Sequence, residues 1–144
     1  MAKFNAEEAE NFEDIEKQFA VKAVHQMETY WKLLSLIKGS KLTLTKYDDE
    51  IYDTLLADFP EFKDSQVAAV LNEDDMKSKE GKERWRNFCE KFKHIEDYNF
   101  GTLLRTHSNE EYGEHNTMFS LRIQFYAIEI VRNRSGQNDW ICKK

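Results

Sequence analysis

Residues 11–37, NFEDIEKQFAVKAVHQMETYWKLLSLI, decide the fold. Phe12, Ile15, Phe19, Ala23, Met27, Tyr30, Leu34 and Ile37 recur in steps of three and four, which gathers them on one face of a helix. Lys17, Lys22, His25, Glu28, Thr29 and Lys32 fall on the other face. Asn11 reads as the N-cap, and the acids around it suit the positive end of the helix dipole. Gly39 reads as the left-handed residue that stops the helix. At 1.5 Å per residue the helix is about 40 Å long and spans a domain.

Downstream, Thr45-Lys46-Tyr47-Asp48 reads as a capping box with Asp in place of the usual Glu. The helix it opens runs to about Asp58, buries Ile51, Leu55 and Tyr52, and ends before Pro60. A short third helix covers Asp64 to Leu71. A fourth begins at Glu73 or Ser78 and runs to Lys93, with Trp85, Phe88, Cys89 and Phe92 as its apolar stripe. Ile95 to Asn116 is irregular, with Leu103-Leu104 as its anchor in the core. Residues 117–134 admit two readings. Phe119, Leu121, Ile123 and Phe125 alternate as a strand would, whereas Phe119, Ile123, Tyr126, Ala127 and Ile130 share a helical face. The length of the run without a breaker favours the helix, apolar nearly all round and therefore central. The expected fold is all-α, or mainly α, with room for one short β-hairpin.

The chain has 144 residues, 40% of them hydrophobic and 13% aromatic, enough for one cored domain over 1–144 without disulfides. About 1–10 and 138–144 read as flexible, polar termini. One Pro and five Gly argue against a many-turned sandwich or barrel. A net charge of -6 argues against nucleic acid as the main partner, since a duplex binder needs a basic face. The charge is uneven: Glu7, Glu8, Glu10, Glu13, Asp14 and Glu16 stand against Lys3 alone, so residues 1–16 hold -5 of that total. No apolar leader or 20-residue span is visible, which predicts a cytoplasmic protein without a membrane partner and leaves the nucleus open to so small a chain. Cys89 and Cys142 then read as reduced thiols.

Few residues invite chemistry. Cys89, His94, His107 and His115 lack the close pairing of a zinc site. There is no nucleophile elbow, phosphate loop or dinucleotide loop. The sequence therefore nominates no catalytic, cofactor or metal residue, and no enzyme is expected. Asp48-Asp49-Glu50 suits a hard cation or acid–base work, though acids in a first helical turn also simply stabilise it. Arg122, Glu129 and Arg132 follow one helical stripe, and with Arg105 form either a structural ladder or the charged edge of a protein-binding groove. Lys82, Arg84, Arg86, Lys91 and Lys93 around Trp85 form either a solvated face or a surface for RNA or an acidic protein.

Several blocks carry a resemblance: residues 34–52 (LSLIKGSKLTLTKYDDEIY), Trp85-Arg86-Asn87-Phe88-Cys89, residues 99–105 (NFGTLLR), Asn116-Thr117-Met118-Phe119, and residues 122–134 (RIQFYAIEIVRNR). In order and spacing, from about Ile15 to Asp139, they resemble the polysaccharide biosynthesis domain-containing protein 1 family. The resemblance implies a compact orthogonal helical bundle. It implies a cytosolic, cofactor-free, monomeric chaperone of newly made translation elongation factor 1-alpha, acting at the ribosome with the nascent polypeptide-associated complex. In that picture it shields the client's GTP-binding domain. Separately, a half-folded GTPase exposes Lys and Arg meant for phosphate, and the expectation is that Asp48, Asp49 and Glu50 beside Tyr47 and Tyr52 stand in for it. The family's name suggests polysaccharide biosynthesis, for which the residues supply no nucleotide-sugar loop. A ribosomal-RNA-associated factor is the other rival reading. The chain ends at Ile141-Cys142-Lys143-Lys144, without the long charged extension of some members.

Overall fold

The structure, a computed structural model, describes residues 6–143, with side chains from Ala20 onward. The side chains of Asn11, Phe12, Ile15 and Phe19 lie outside what the structure describes, as do residues 1–5 of the expected loose N-terminus. Helix α1 spans Ala6–Leu36 and so starts before the expected cap at Asn11. It buries Ala23, Tyr30 and Leu34 as the spacing predicts, but Ile37, beyond its end, is exposed. Gly39 is not left-handed. It is buried, and a Cβ there would run into the side chain of Asn133, which arrives from the far end of the chain.

Helix α2 spans Asp48–Asp58, with Ile51 and Leu55 inside and Tyr52 half-buried. A 3-10 turn at Pro60–Lys63 follows, then α3 (Ser65–Ala69). The predicted fourth helix is two: α4 (Glu73–Lys77) and α5 (Lys79–Glu90), broken at Ser78. Ser78 Oγ accepts the Gly81 N–H at 3.0 Å and so caps α5. The α5 aromatic stripe packs as expected, with the Trp85 ring 4.2 Å from Phe59 and Phe88 5.0 Å from Phe92.

Both readings of residues 117–134 are realised in sequence. Strand β1 (Gly101–Arg105) pairs antiparallel with β2 (Thr117–Leu121), placing Leu103 opposite Phe119 and Arg105 opposite Thr117. The chain then turns at Leu121 into helix α6, Arg122–Arg134. The strand face is the reverse of the expected alternation: Met118 and Ser120 are buried, while Phe119 is half exposed. Helix α6 is central, burying Ile123, Phe125, Ala127, Ile128, Ile130 and Val131 and packing on α2, α3, α5 and both strands. Gly136, at φ 78, ends it with the Gly136 N–H on Asn133 O and the Gln137 N–H on Arg132 O, a Schellman closure. The polar tail expected from residue 138 is instead packed: a 3-10 turn at Asp139–Ile141 carries buried Ile141, and Asn138 before it is fully buried. Among the described residues no helix is long and apolar enough to cross a membrane.

Candidate functional site

Glu129 lies on the inner face of α6, 1% exposed. Its Oε1 accepts from Tyr30 Oη at 2.9 Å and Asn138 Nδ2 at 3.0 Å, and its Oε2 accepts from Arg132 Nη1 at 2.9 Å. Arg105 Nη2 stands 3.6 Å away. Arg132 also donates to the Ala68 and Thr106 carbonyls at 2.8 and 3.3 Å. Arg105 donates to the Ser108 and Glu110 carbonyls and to the Asn138 side chain, and its guanidinium faces the rings of Trp31 and Tyr112 at 5.3 and 5.8 Å. Burial opposes ionisation of Glu129, but Arg132 and Arg105, with the hydrogen bonds, hold its carboxyl below the usual range. An ionised carboxylate so fully bonded is a brace and has no proton to trade.

The predicted ladder is therefore half right. Glu129, Arg132 and Arg105 form it, but Arg122 turns away to Asp97 at 3.8 Å. The alternative, a charged groove edge, is corrected for three of its four members: Arg105, Glu129 and Arg132 are buried to 1% or less, so no partner can reach them.

The carboxylate triplet also comes apart. Asp48, 9% exposed, accepts the Leu44 and Thr45 N–H groups at 2.8 and 2.7 Å and the Thr45 hydroxyl at 2.8 Å. Thr45 Oγ1 in turn accepts the Tyr47 N–H at 2.9 Å. Asp49 pairs with Arg134 at 2.6 Å, whose guanidinium lies over the Tyr52 ring. Glu50 faces His94 at 4.0 Å, and that imidazole meets Tyr47 edge-on. These five residues serve three separate local tasks. Among the described residues no three His, Cys, Asp or Glu side chains converge as a metal site requires.

The basic surface of α5 is mostly spent on neighbours. Arg84 grips Glu61 at 2.8 and 3.0 Å, Lys91 pairs with Asp58 at 2.7 Å, and Lys93 with Glu90 at 2.5 Å. Lys82 and Arg86 remain, lining a cleft of about 380 Å³ with Trp85, Cys89 and Phe119. Burial, helped by Glu90, pushes the Cys89 thiol up to about 11, which keeps it protonated and unreactive.

A wide groove of about 820 Å³ lies between α1, residues 97–100 and the start of α6. Val21, His25, Gln26, Thr29, Tyr30 and Leu33 supply one stripe of α1; Phe125 and Tyr126 face it from α6, and Leu44 closes one end. Val21 and Leu33 are exposed. The Lys22 and Arg122 cations lie 5.9 and 5.8 Å from the Phe100 ring. Arg122 Nε is buried without a hydrogen-bond partner. Asp97, which faces Arg122, holds a left-handed φ of 59. Of the expected binding residues only Arg122 lines this groove. Val21, Leu33 and Phe100 escape a reading that follows one core stripe. Their signal is the set of apolar residues left off that stripe, Val21, Val24, Leu33 and Leu36, all of them exposed.

A family model described as PBDC1 protein matches residues 15–143. A PBDC1 homolog of Saccharomyces cerevisiae is 61% identical over 142 residues, 98% of this chain and 97% of that protein. The Schizosaccharomyces pombe homolog is 56% identical over 142 residues, with the same coverage. Human protein PBDC1 is 46% identical over 134 residues, 92% of this chain and 56% of its own length. A solution NMR structure of a Saccharomyces cerevisiae protein is similar with a TM-score of 0.87 and 59% identity, covering 100% of this chain and 99% of that one.

Proposed function

Because the chain belongs to the PBDC1 protein family, we propose that it is a protein-binding chaperone that receives newly synthesised translation elongation factor 1-alpha at the ribosome and shields its GTP-binding domain. The client, the ribosome and the nascent polypeptide-associated complex come from the family resemblance. What carries the binding mode is the open groove along α1, where Val21 and Leu33 stay exposed on a helix that is otherwise anchored by Tyr30 and Leu34. A holdase needs a rigid body and an uncovered apolar face, and needs no turnover chemistry. The charged interior meets the first requirement, since the Glu129 brace ties α1, α6 and β1 together.

The phosphate-mimic idea narrows accordingly. Asp48 ties the Leu44 and Thr45 N–H groups to the start of α2, so replacing it would disturb the fold before it reported on a client. Tagged chain recovered from cytosol with its ribosome-bound partners, read by mass spectrometry, tests the proposal. Wild type is expected to enrich nascent elongation factor 1-alpha, and Leu33→Asp to lose it at unchanged Tm. Capture of ribosomes that persists in Leu33→Asp but collapses on ribonuclease treatment and rising salt would favour the RNA reading instead.

A further inference from the structure

The geometry points to an acidic amphipathic helix of a protein partner as the occupant of the α1–α6 groove, its apolar side chains on Leu33 and Phe125 and a carboxylate at Arg122 and Lys22. This deepens the protein-binding reading above and rests on it. Val21, Leu33, Leu44 and Phe125 give the groove an apolar lining. Two cations, Lys22 and Arg122, line it against a single acid, Asp97. Asp97 stands 3.8 Å from Arg122 and leaves the guanidinium Nε, which is buried, without an acceptor. The Arg122 side chain keeps 22% of its surface exposed and its Asp97 partner lies beyond hydrogen-bond distance, so an incoming carboxylate can pair with the exposed part of the guanidinium more closely than Asp97 does. From Val21 to Leu33 the α1 wall runs three turns, so a helix of about 12 to 16 residues fills it. Such a helix lays its i, i+3, i+4 and i+7 side chains in the groove and keeps its acids on the flanks. The sign matters, because it is opposite to a client segment rich in Lys and Arg, which the α2 carboxylates were expected to meet.

Two synthetic peptides of about 16 residues test this, both with Leu at i, i+3, i+4 and i+7, one flanked by Glu and one by Lys. Binding to the full chain is followed by fluorescence anisotropy and by amide shifts in NMR. The Glu peptide is expected to bind at least tenfold more tightly, with shifts gathered at Val21–Leu33 and Phe125. Arg122→Glu is expected to reverse the preference. Should that variant not fold, Lys22→Glu, on an exposed position, must at least weaken the Glu peptide. Equal binding of both peptides, failure of the Glu peptide to bind, an unchanged preference in the folded charge variants, or shifts centred on Arg86 and Phe119 would overturn the inference. A chain that captures nascent elongation factor 1-alpha yet shows no Glu-peptide preference sinks this inference and spares the chaperone reading. Glu-peptide preference without capture of the factor does the reverse.

Discussion

At Glu129 a single carboxylate balances two buried guanidinium groups, so its loss should cost far more than one hydrogen bond. Glu129→Gln keeps the volume but strands Arg105 and Arg132, and should lower unfolding free energy by about 3–5 kcal/mol in urea titrations. The pH dependence has a definite sign. The folded-state pKa lies below the ordinary 4.5, so the brace contributes fully above that value and is lost as pH falls through the lower, folded one. Wild type should therefore lose stability progressively below about pH 4.5, with a smaller share from Glu61, held low by Arg84 near the surface. Glu129→Gln should show a flatter acid limb in the same window; an unchanged limb would mean the carboxyl titrates at its unfolded value. Cys89 offers an independent check on the interior. With its thiol pushed up to about 11, iodoacetamide near pH 8 should label Cys142 and spare Cys89 until the chain unfolds.

At the scale of elements, α2 was legible because its signals are local. Thr45, Asp48 and Pro60 mark its ends within a few residues, and half of the expected box forms: the Thr45 N–H donates to Asp48, but the Thr45 oxygen takes the Tyr47 N–H in place of the Asp48 N–H. Asp48→Ala should cost about 1–2 kcal/mol and raise amide exchange at Leu44 and Thr45, whereas Asp49→Ala, on a side chain 91% exposed, should cost little. The β2–α6 junction was not legible from periodicity, because what makes residues 117–121 a strand is β1, a segment separated from it by a long loop. Arg122 and Glu129 do share α6, two turns apart, but Arg122 stands in the first turn, beyond the buried stretch, and its side chain reaches Asp97 and opens onto the groove. Gly39 was misread for a similar reason: the atom that demands a glycine there belongs to Asn133. At the candidate site the same limit applies. Arg122 was legible as a charged residue of interest, but a groove made of α1, residues 97–100 and α6 exists only once three distant stretches have met.

For the molecule as a whole, the last turn closes the structure. Asn138 donates to Glu129 and Asn133 and accepts from Arg105, so one side chain joins α6 to β1. Asp139 accepts from the Ser40 N–H at 2.9 Å and from the Ser40 hydroxyl at 2.8 Å, fixing the stretch after α1. Trp140 donates to the Ser108 carbonyl and meets Trp31 edge-on, while Ile141 fills the core. Removing residues 138–144 would leave an Ile-sized void, worth about 2–5 kcal/mol. It would also strand donors and acceptors on Arg105 and Glu129, each worth about 1–3 kcal/mol. Together these rival the 5–15 kcal/mol by which a domain of this kind is stable. The truncated chain should therefore give a collapsed, poorly dispersed amide spectrum and no cooperative melt, whereas removing Lys143 and Lys144 alone should leave Tm unchanged. A cooperative melt within a few degrees of wild type after the longer deletion would mean that the brace stands without its final turn. The rigidity on which the open groove relies would then have to come from the helices alone.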